Sequence, residues 1–292
     1  MSIERIRALP CWQGEISATI LKGGLSNESW KVTDGQGTHI VRFGMDFPFH
    51  HVFRDREVMA ARAAHAAGFA PGVHYSAPGL MVSAFVNART WSEADMRAAP
   101  DRIGTLLRRF HQTMPAHVSG PGAIFWVFHV IRDYARTLAD HASRFTPDLP
   151  RLLAINAGLE VAQQPMPIVF GHHDLLAGNF LEDESRLWLI DFEYAAFGTA
   201  MFDLAGAAGN AAMAPAEEEA MLAAYFGEAP DAARRQSFAA MKCAALMREA
   251  MWAMVSEIFL AAPGADYDAH ARDYLGRLDA AVEFYQTSYG KI

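Results

Sequence analysis

Cysteine occurs only twice in 292 residues, at Cys11 and Cys243. Two thiols so far apart give neither a disulfide framework nor a CxxC metal or redox motif, and such a chain suits a reducing cytoplasm. Long apolar runs are also missing. The opening residues, MSIERIRALPCW, hold no apolar stretch of signal-peptide length, and the most apolar late segment, 244–265, is interrupted by Arg248, Glu249 and Glu257. Neither a leader nor a membrane span is expected. Positive charge is in deficit: 25 Lys and Arg stand against 33 Asp and Glu, a formal net charge of −8. With no Lys/Arg cluster to override that balance, nucleic acid and anionic lipid are poor partners. No G-x-S-x-G elbow is present, which sets aside α/β-hydrolase acyl transfer. The twelve histidines come without HExxH or Cys/His spacing. The pairs His50-His51 and His172-His173 would point to opposite faces of a strand, which argues against zinc.

What is present is globular: 52% hydrophobic and 20% charged residues, in a length that suits one large domain or two coupled lobes. Residues 16–43 read as strands, with a hairpin turn at Asp34-Gly35-Gln36-Gly37. The run FRDREVMAARAAHAA at 53–67 reads as a helix stopped by Gly68, and GLMVSAFV at 79–86 as another strand. Beyond it the pattern changes to Ala-, Leu- and Arg-rich helical stretches, so the lobe boundary is placed at residues 87/88. Within the second part, PIVFGHHDLLAGNFL and RLWLIDFEYAAFG each start as a short apolar strand and run into a polar cluster, and from Phe202 onward helices are expected.

Those polar clusters carry chemistry. In His172-His173-Asp174-Leu175-Leu176-Ala177-Gly178-Asn179, an Asp and an Asn lie five positions apart just after a strand. Such a loop can aim Asp174 at a hydroxyl while the Asn179 amide oxygen reaches a Mg²⁺. Twelve residues on, Asp191 at a strand end offers a second hard oxygen ligand. Upstream, Gly23, Gly24, Ser26 and Asn27 sit in a hairpin where backbone N–H groups can approach phosphates. Arg42 on the following strand is a cation for those phosphates, with Glu57 on the next helix as its ion-pair partner. Together these are the parts that phosphoryl transfer from ATP requires.

The segments LKGGLSNESW, HIVRFG, HHDLLAGNF, LIDFEYA and FDLA, in this order, resemble the choline/ethanolamine kinase branch of the aminoglycoside-phosphotransferase-like kinases, over about residues 20–285. The resemblance implies an α+β, bilobal protein-kinase-like fold, with a small β-rich N-terminal lobe (1–87) and a larger, mainly helical C-terminal lobe (88–292). It implies ATP in the cleft and Mg²⁺ on its phosphates. By that likeness Asp174 is the catalytic base, Asn179 and Asp191 hold metal, Glu193 adds a second carboxylate, and Asp203 braces the catalytic loop. His172 supports the same loop, and the strand end at Ser83–Val86 meets adenine.

Choline recognition calls for an aromatic surface, because the π-face attracts a cation that cannot donate hydrogen bonds. Trp252, Tyr267 and Tyr274 are the candidate walls, with packing in the core as their alternative role. Glu249 stands where the family's choline binders tend to place another Trp. The expected substrate is choline, ethanolamine or a related amino alcohol. Thiamine and an aminoglycoside are rival acceptors, and a nucleotide-binding regulator without turnover is the reading from another class.

Overall fold

The computed structural model describes residues 2–21, 28–260, 262 and 264–292. Gly23, Gly24, Ser26 and Asn27, the expected phosphate-facing hairpin, lie outside the described residues. The chain opens with helix α1 (Ser2–Arg7) and strands β1 (Ser17–Leu21), β2 (Glu28–Thr33) and β3 (Thr38–Phe43). Helix α2 (Arg54–Ala66) follows, then β4 (Val73–Ala77) and β5 (Leu80–Ala84). These five strands form one antiparallel sheet in the order β1-β2-β3-β5-β4. The β2–β3 reversal is set by Asp34, whose Oδ1 accepts from the N–H groups of Gln36 and Gly37 at 2.9 and 3.1 Å. This is the local competition for backbone donors that favours Asp in turns.

Alternation along β3 turns Val41 and Phe43 into a small core with Ile6, Val32, Leu80 and Val82, and leaves Arg42 on the opposite face. α2 does not join that core. Its buried alanines pack with Phe69, Ile103 and Phe110 in a second, much larger core.

The remainder contains β6 (Arg89–Thr90), α3 (Glu93–Ala98), α4 (Pro100–Thr113), α5 (Val127–Asp140) and α6 (Leu149–Val161). Next come β7 (Ile168–Gly171), β8 (Phe180–Glu182), β9 (Leu187–Leu189) and β10 (Ala196–Thr199). Helices α7 (Ala200–Asn210), α8 (Pro215–Phe226), α9 (Ala232–Phe259) and α10 (Tyr267–Tyr289) complete the fold. The architecture is a small β-rich lobe joined to a larger helical one, as expected. α4 buries Ile103, Leu106, Leu107 and Phe110, and α5 buries Val127, Val130, Ile131, Tyr134 and Leu138, the spacing of a single helical face. α9 is enclosed by α5, α6, α7 and α10, which is why its sequence is apolar nearly all round.

Some elements depart from the sequence expectation. β4 was hidden by its flanking Pro-Gly pairs and its mixed composition, which suits a sheet edge with one exposed side. The segment expected to hold two strands holds four. β10 lacks a strand signature because Gly198 stands where a Cβ would lie 2.8 Å from the Phe125 carbonyl oxygen and 3.0 Å from the His173 ring.

Close packing of α4 on α8 also rests on a glycine: a Cβ on Gly104 would collide with the Met221 carbonyl oxygen and lie 3.0 Å from the Ala224 Cβ. Gly104→Ala should cost about 1–3 kcal/mol in urea unfolding, as overpacking does. Gly276→Ala on α10, where a Cβ meets nothing within 4 Å, should stabilise by about 0.5–1 kcal/mol. Equal shifts at both positions would contradict this account of the α4–α8 contact.

Candidate active site

The site is assembled around the carboxylate of Asp203, in the first turn of α7 and 1% exposed. Its Oδ2 accepts from the His172 N–H at 2.8 Å, and its Oδ1 from the His173 N–H at 2.7 Å. The His111 Nε2 on α4 donates to Oδ2 at 2.8 Å. Burial raises this carboxyl, but the His111 hydrogen bond and the surrounding histidines more than offset it and hold it well below the usual carboxylate range. The two backbone bonds pin the chain as it leaves β7, where His173 adopts φ 62°. A Cβ on Gly171 would overlap the His173 ring, so only glycine fits that strand end.

His172 orders the next step. It is fully buried, and burial pushes its pKa down, so it is neutral. Its Nε2 donates to the Ile190 carbonyl at 2.9 Å while Nδ1 accepts from the Asp174 N–H at 3.3 Å. One ring thereby ties the loop at 172–176 to the end of β9. The 3₁₀ turn Ala177–Asn179 then brings the Asn179 Nδ2 to the Asp174 carbonyl oxygen at 2.8 Å and to the Asp174 Oδ2 at 3.2 Å. With its nitrogen spent inward, the Asn179 amide presents Oδ1 as its remaining ligand atom.

After β9 the chain turns through Asp191, a non-glycine residue at φ 67°. Its Oδ1 accepts from the Arg42 Nη1 at 2.6 Å. Arg42 Nη2 pairs with Glu57, Glu57 with Arg54 at 2.7 Å, and Arg54 with Glu193 at 2.8 Å. Five charged groups from β3, α2 and the segment after β9 thus form one chain of ion pairs. Within it the acids are driven apart. Burial pushes Asp191 up, but Arg42 more than offsets it and the net shift is downward. Glu193 is raised by burial and by the charge of Asp191. Asp174 is raised well above the ordinary range by burial, with Arg248 opposing and Asp191, Glu249 and Glu193 adding to the rise. One carboxylate held ionised beside one made more basic is the separation that acid–base sites require.

The expected residues Arg42, Glu57, Asp174, Asn179, Asp191 and Glu193 therefore converge, and Glu193 is engaged by Arg54. Asp191 and the free Asn179 oxygen are hard donors of the kind that Mg²⁺ takes, since that ion uses one or two protein carboxylates and fills its shell with water and phosphate oxygens. Among the described residues no group of three acidic, His or Cys side chains clusters as a metal cage.

The aromatic residues gather on α9 and α10. The Trp252 Nε1 donates to the hydroxyl of Tyr194, the residue after the Arg54-bound Glu193, at 3.0 Å. The Tyr267 ring lies 6.1 Å from Trp252. Tyr274 donates to the Asn210 Oδ1 at 3.3 Å, and Asn210 lines a cavity of about 20 Å³ with Asp174, Phe202, Arg248 and Glu249. Trp252 is the most exposed of the three, whereas Tyr267 and Tyr274 are buried.

A model of the phosphotransferase enzyme family matches residues 17–241. The chain belongs to this family. A choline/ethanolamine kinase family protein from Mesorhizobium loti superposes with a TM-score of 0.79 at 25% identity, covering 97% of this chain and 95% of that one. A choline kinase from Streptococcus pneumoniae shares the fold at a TM-score of 0.76 and 21% identity, with 97% of each chain covered. A probable ethanolamine kinase from Arabidopsis thaliana is 30% identical over 210 residues, which are 63% of this chain and 53% of that protein. The chain spans about half the length of this curated relative.

Two residues of this phosphotransferase-family site escaped the sequence reading. Arg54 links Glu57 to Glu193, and its signal was the i, i+3 spacing to Glu57 at the head of α2. Arg248 lies against the cavity; its signal was a charged Arg248-Glu249 pair inside an otherwise apolar helix. The two histidine pairs diverge in role. His50 is buried between the Tyr134 hydroxyl at 3.0 Å and the Ser256 Oγ at 2.9 Å, while His51 pairs with Asp133 at 2.7 Å.

The buried loop carries a pH signature. Burial lowers His173 to about 4 from 6.5, with His111 and His172 acting in the same direction and Asp203 against them. An unfolded chain binds a proton here between those values and the folded chain does not, so stability falls as pH drops from 6.5 to 4. The loss should be about 3 kcal/mol from His173. Asp203, held low when folded, keeps its contribution throughout that window and loses it only below. Urea unfolding between pH 7 and pH 4.5 should show this slope, and His173→Gln should reduce it without abolishing it, because burial also lowers His50 and His172. An unchanged slope would mean that His173 is not the group responsible.

Proposed function

We propose that this chain is a kinase that transfers the γ-phosphoryl group of ATP to the hydroxyl of a small amino alcohol of the choline and ethanolamine class. The observation that carries the reading is the convergence of Asp174, Asn179 and Asp191, from two separate strand ends, beside a cavity. Membership of a phosphotransferase family supports it, as does the likeness to choline and ethanolamine kinases. The choline kinase of S. pneumoniae has also been solved with AMP, and that likeness supports a nucleotide in the cleft between the lobes, residues 1–87 and 88–292.

Each residue has a chemical task. Arg42 steadies the phosphates, with Glu57 holding its side chain in place. Asn179 and Asp191 would hold Mg²⁺, which neutralises charge on the phosphates when bound. Glu193, engaged by Arg54, stands behind Asp191 as a further carboxylate. Asp174 accepts the hydroxyl proton: Asn179 occupies its Oδ2, which leaves Oδ1 for the alcohol. Its raised pKa makes it a stronger base than a solvated carboxylate. Gly23, Gly24, Ser26 and Asn27 are assigned to the phosphate-facing hairpin. Near the adenine, the N–H groups of Ala84 and Phe85 are already bonded to Gly72 and Thr38, so a backbone donor at the end of this edge falls to Val86.

Trp252, Tyr267 and Tyr274 form the acceptor side. An aminoglycoside, with several ammonium groups, needs free carboxylates, and the acidic run at 217–219 does not supply them. Glu217 accepts from the Ala214 N–H, Glu218 pairs with Lys242 and Glu219 with Arg235.

The test is ADP release with Mg²⁺-ATP against choline, ethanolamine, thiamine and an aminoglycoside. Asp174→Asn should lower acceptor-dependent turnover by about 10²–10⁴-fold, the usual worth of a general base, with ATP binding retained. Arg42→Met should instead raise the KM for ATP. Full turnover in Asp174→Asn would remove the base assignment, and ATP binding without turnover on any alcohol would favour a regulator.

A further inference from the structure

Arg248 is 4% exposed, and its guanidinium is only half used. Nη1 donates to the Glu249 Oε2 at 2.9 Å. Among the described residues, the opposite edge, Nε and Nη2, makes no well-formed hydrogen bond. The Tyr134 hydroxyl, bonded to the His50 Nδ1 at 3.0 Å, also lies against the Arg248 guanidinium, which acts on it through charge and a weak hydrogen bond. The guanidinium rests on the Tyr194 ring, 4.3 Å from its centroid, and Tyr194 is held in turn by Trp252. Stacking fixes the plane of an arginine while leaving its edges free to bond in that plane. Arg248 and Glu249 both line the cavity of about 20 Å³ that contains Asp174. A donor set left unpaired at such depth is destabilising unless a ligand or water completes it.

The free edge has a particular shape. Nε–H and one Nη2–H run parallel, the side-on fork that matches the two oxygens of a carboxylate. Next to it Glu249, bonded to Arg248 and to the His270 Nε2 at 3.2 Å, retains lone pairs for an ammonium. A quaternary ammonium cannot donate hydrogen bonds and would face the Arg248 cation. A dianion would face Asp174 and Glu249. A group of opposite charges side by side matches the Arg248–Glu249 dipole.

We infer that the acceptor is a zwitterion, an amino alcohol that also carries a carboxylate, seated with that carboxylate on the Nε/Nη2 edge of Arg248 and its ammonium toward Glu249. This rests on the reading of the site as an alcohol kinase and narrows its substrate. In the conformation described, the cavity has room for one water, so the pocket opens to admit the acceptor. Arg248 is the specificity-determining residue.

Matched probes test this. Serine is ethanolamine with a carboxylate added, homoserine is one carbon longer, and 3-hydroxypropionate has the carboxylate without the amine. For the wild type, kcat/KM for serine or homoserine should exceed that for ethanolamine by at least about tenfold, with 3-hydroxypropionate between or below and choline last. Arg248→Lys keeps the charge but removes the fork, and should raise the KM for the preferred acceptor about tenfold while leaving the KM for ATP unchanged. Calorimetric binding of serine and homoserine to the wild type gives a readout that needs neither turnover nor a folded variant. Robust turnover of ethanolamine or choline, with the carboxylated alcohols neither bound nor used, would overturn the inference and leave the kinase reading intact. Arg248-dependent binding of a carboxylated alcohol, with no ADP release on it or on any other alcohol, would uphold the carboxylate site and remove the kinase reading. A fork that holds only water predicts no change of acceptor ranking in Arg248→Lys, and that result would also overturn the inference.

Discussion

Arg42, Arg54, Glu57, Asp191 and Glu193 are buried together where β3, α2 and the segment after β9 meet. Removing an ion from water is expensive, and such a group is tolerable only because every charge has a partner. Losing one member strands another, at a cost of roughly 3–5 kcal/mol. The network therefore sets where α2 can sit and which way Asp191 points. It also explains why α2 packs its small alanine face on the larger core while its charged first turn looks back toward the sheet. Position and chemistry are fixed by the same contacts.

Asp203 performs the complementary task on the other side of the site. One carboxylate receives two consecutive backbone N–H groups and a histidine ring, so β7, α4 and α7 are fixed at a single point. The loop it holds then needs little further support: His172 and Asn179 set the direction of Asp174 with three hydrogen bonds. A loop held in this way fixes the direction of the Asp174 carboxylate in advance, which is the kind of preorganisation that catalysis exploits.

Much of this was legible in the sequence. That Asp174, Asn179 and Asp191 lie close together was legible because the metal and proton chemistry expected of them restricts residue type and spacing. β3 was legible in its β-branched, alternating run, and α2 in a run of helix formers stopped by Gly68. β4 and β10 were not, since an edge strand and a glycine-bearing strand carry little propensity. Arg54 and Arg248 were missed for a different reason: their meaning depends on partners more than a hundred residues away or on a cavity that no local pattern encodes. Arg248-Glu249 stood out in the sequence only as an interruption of an apolar run. Its depth in the fold, beside the cavity, is what makes that interruption a candidate for recognition.

The segment between β3 and α2 sits beside the small sheet in sequence but is anchored elsewhere. His50 bonds to Tyr134 on α5 and Ser256 on α9, and it stacks on Trp252 with ring centroids 5.3 Å apart. Phe49 stacks on Phe259 at 4.5 Å. A chain divided near residue 87 would leave both rings without their docking sites and expose the apolar face that receives them. The two lobes are thus not independent folding units: the small lobe borrows part of its solvent-excluded surface from the large one, and the protein should melt in a single cooperative calorimetric transition.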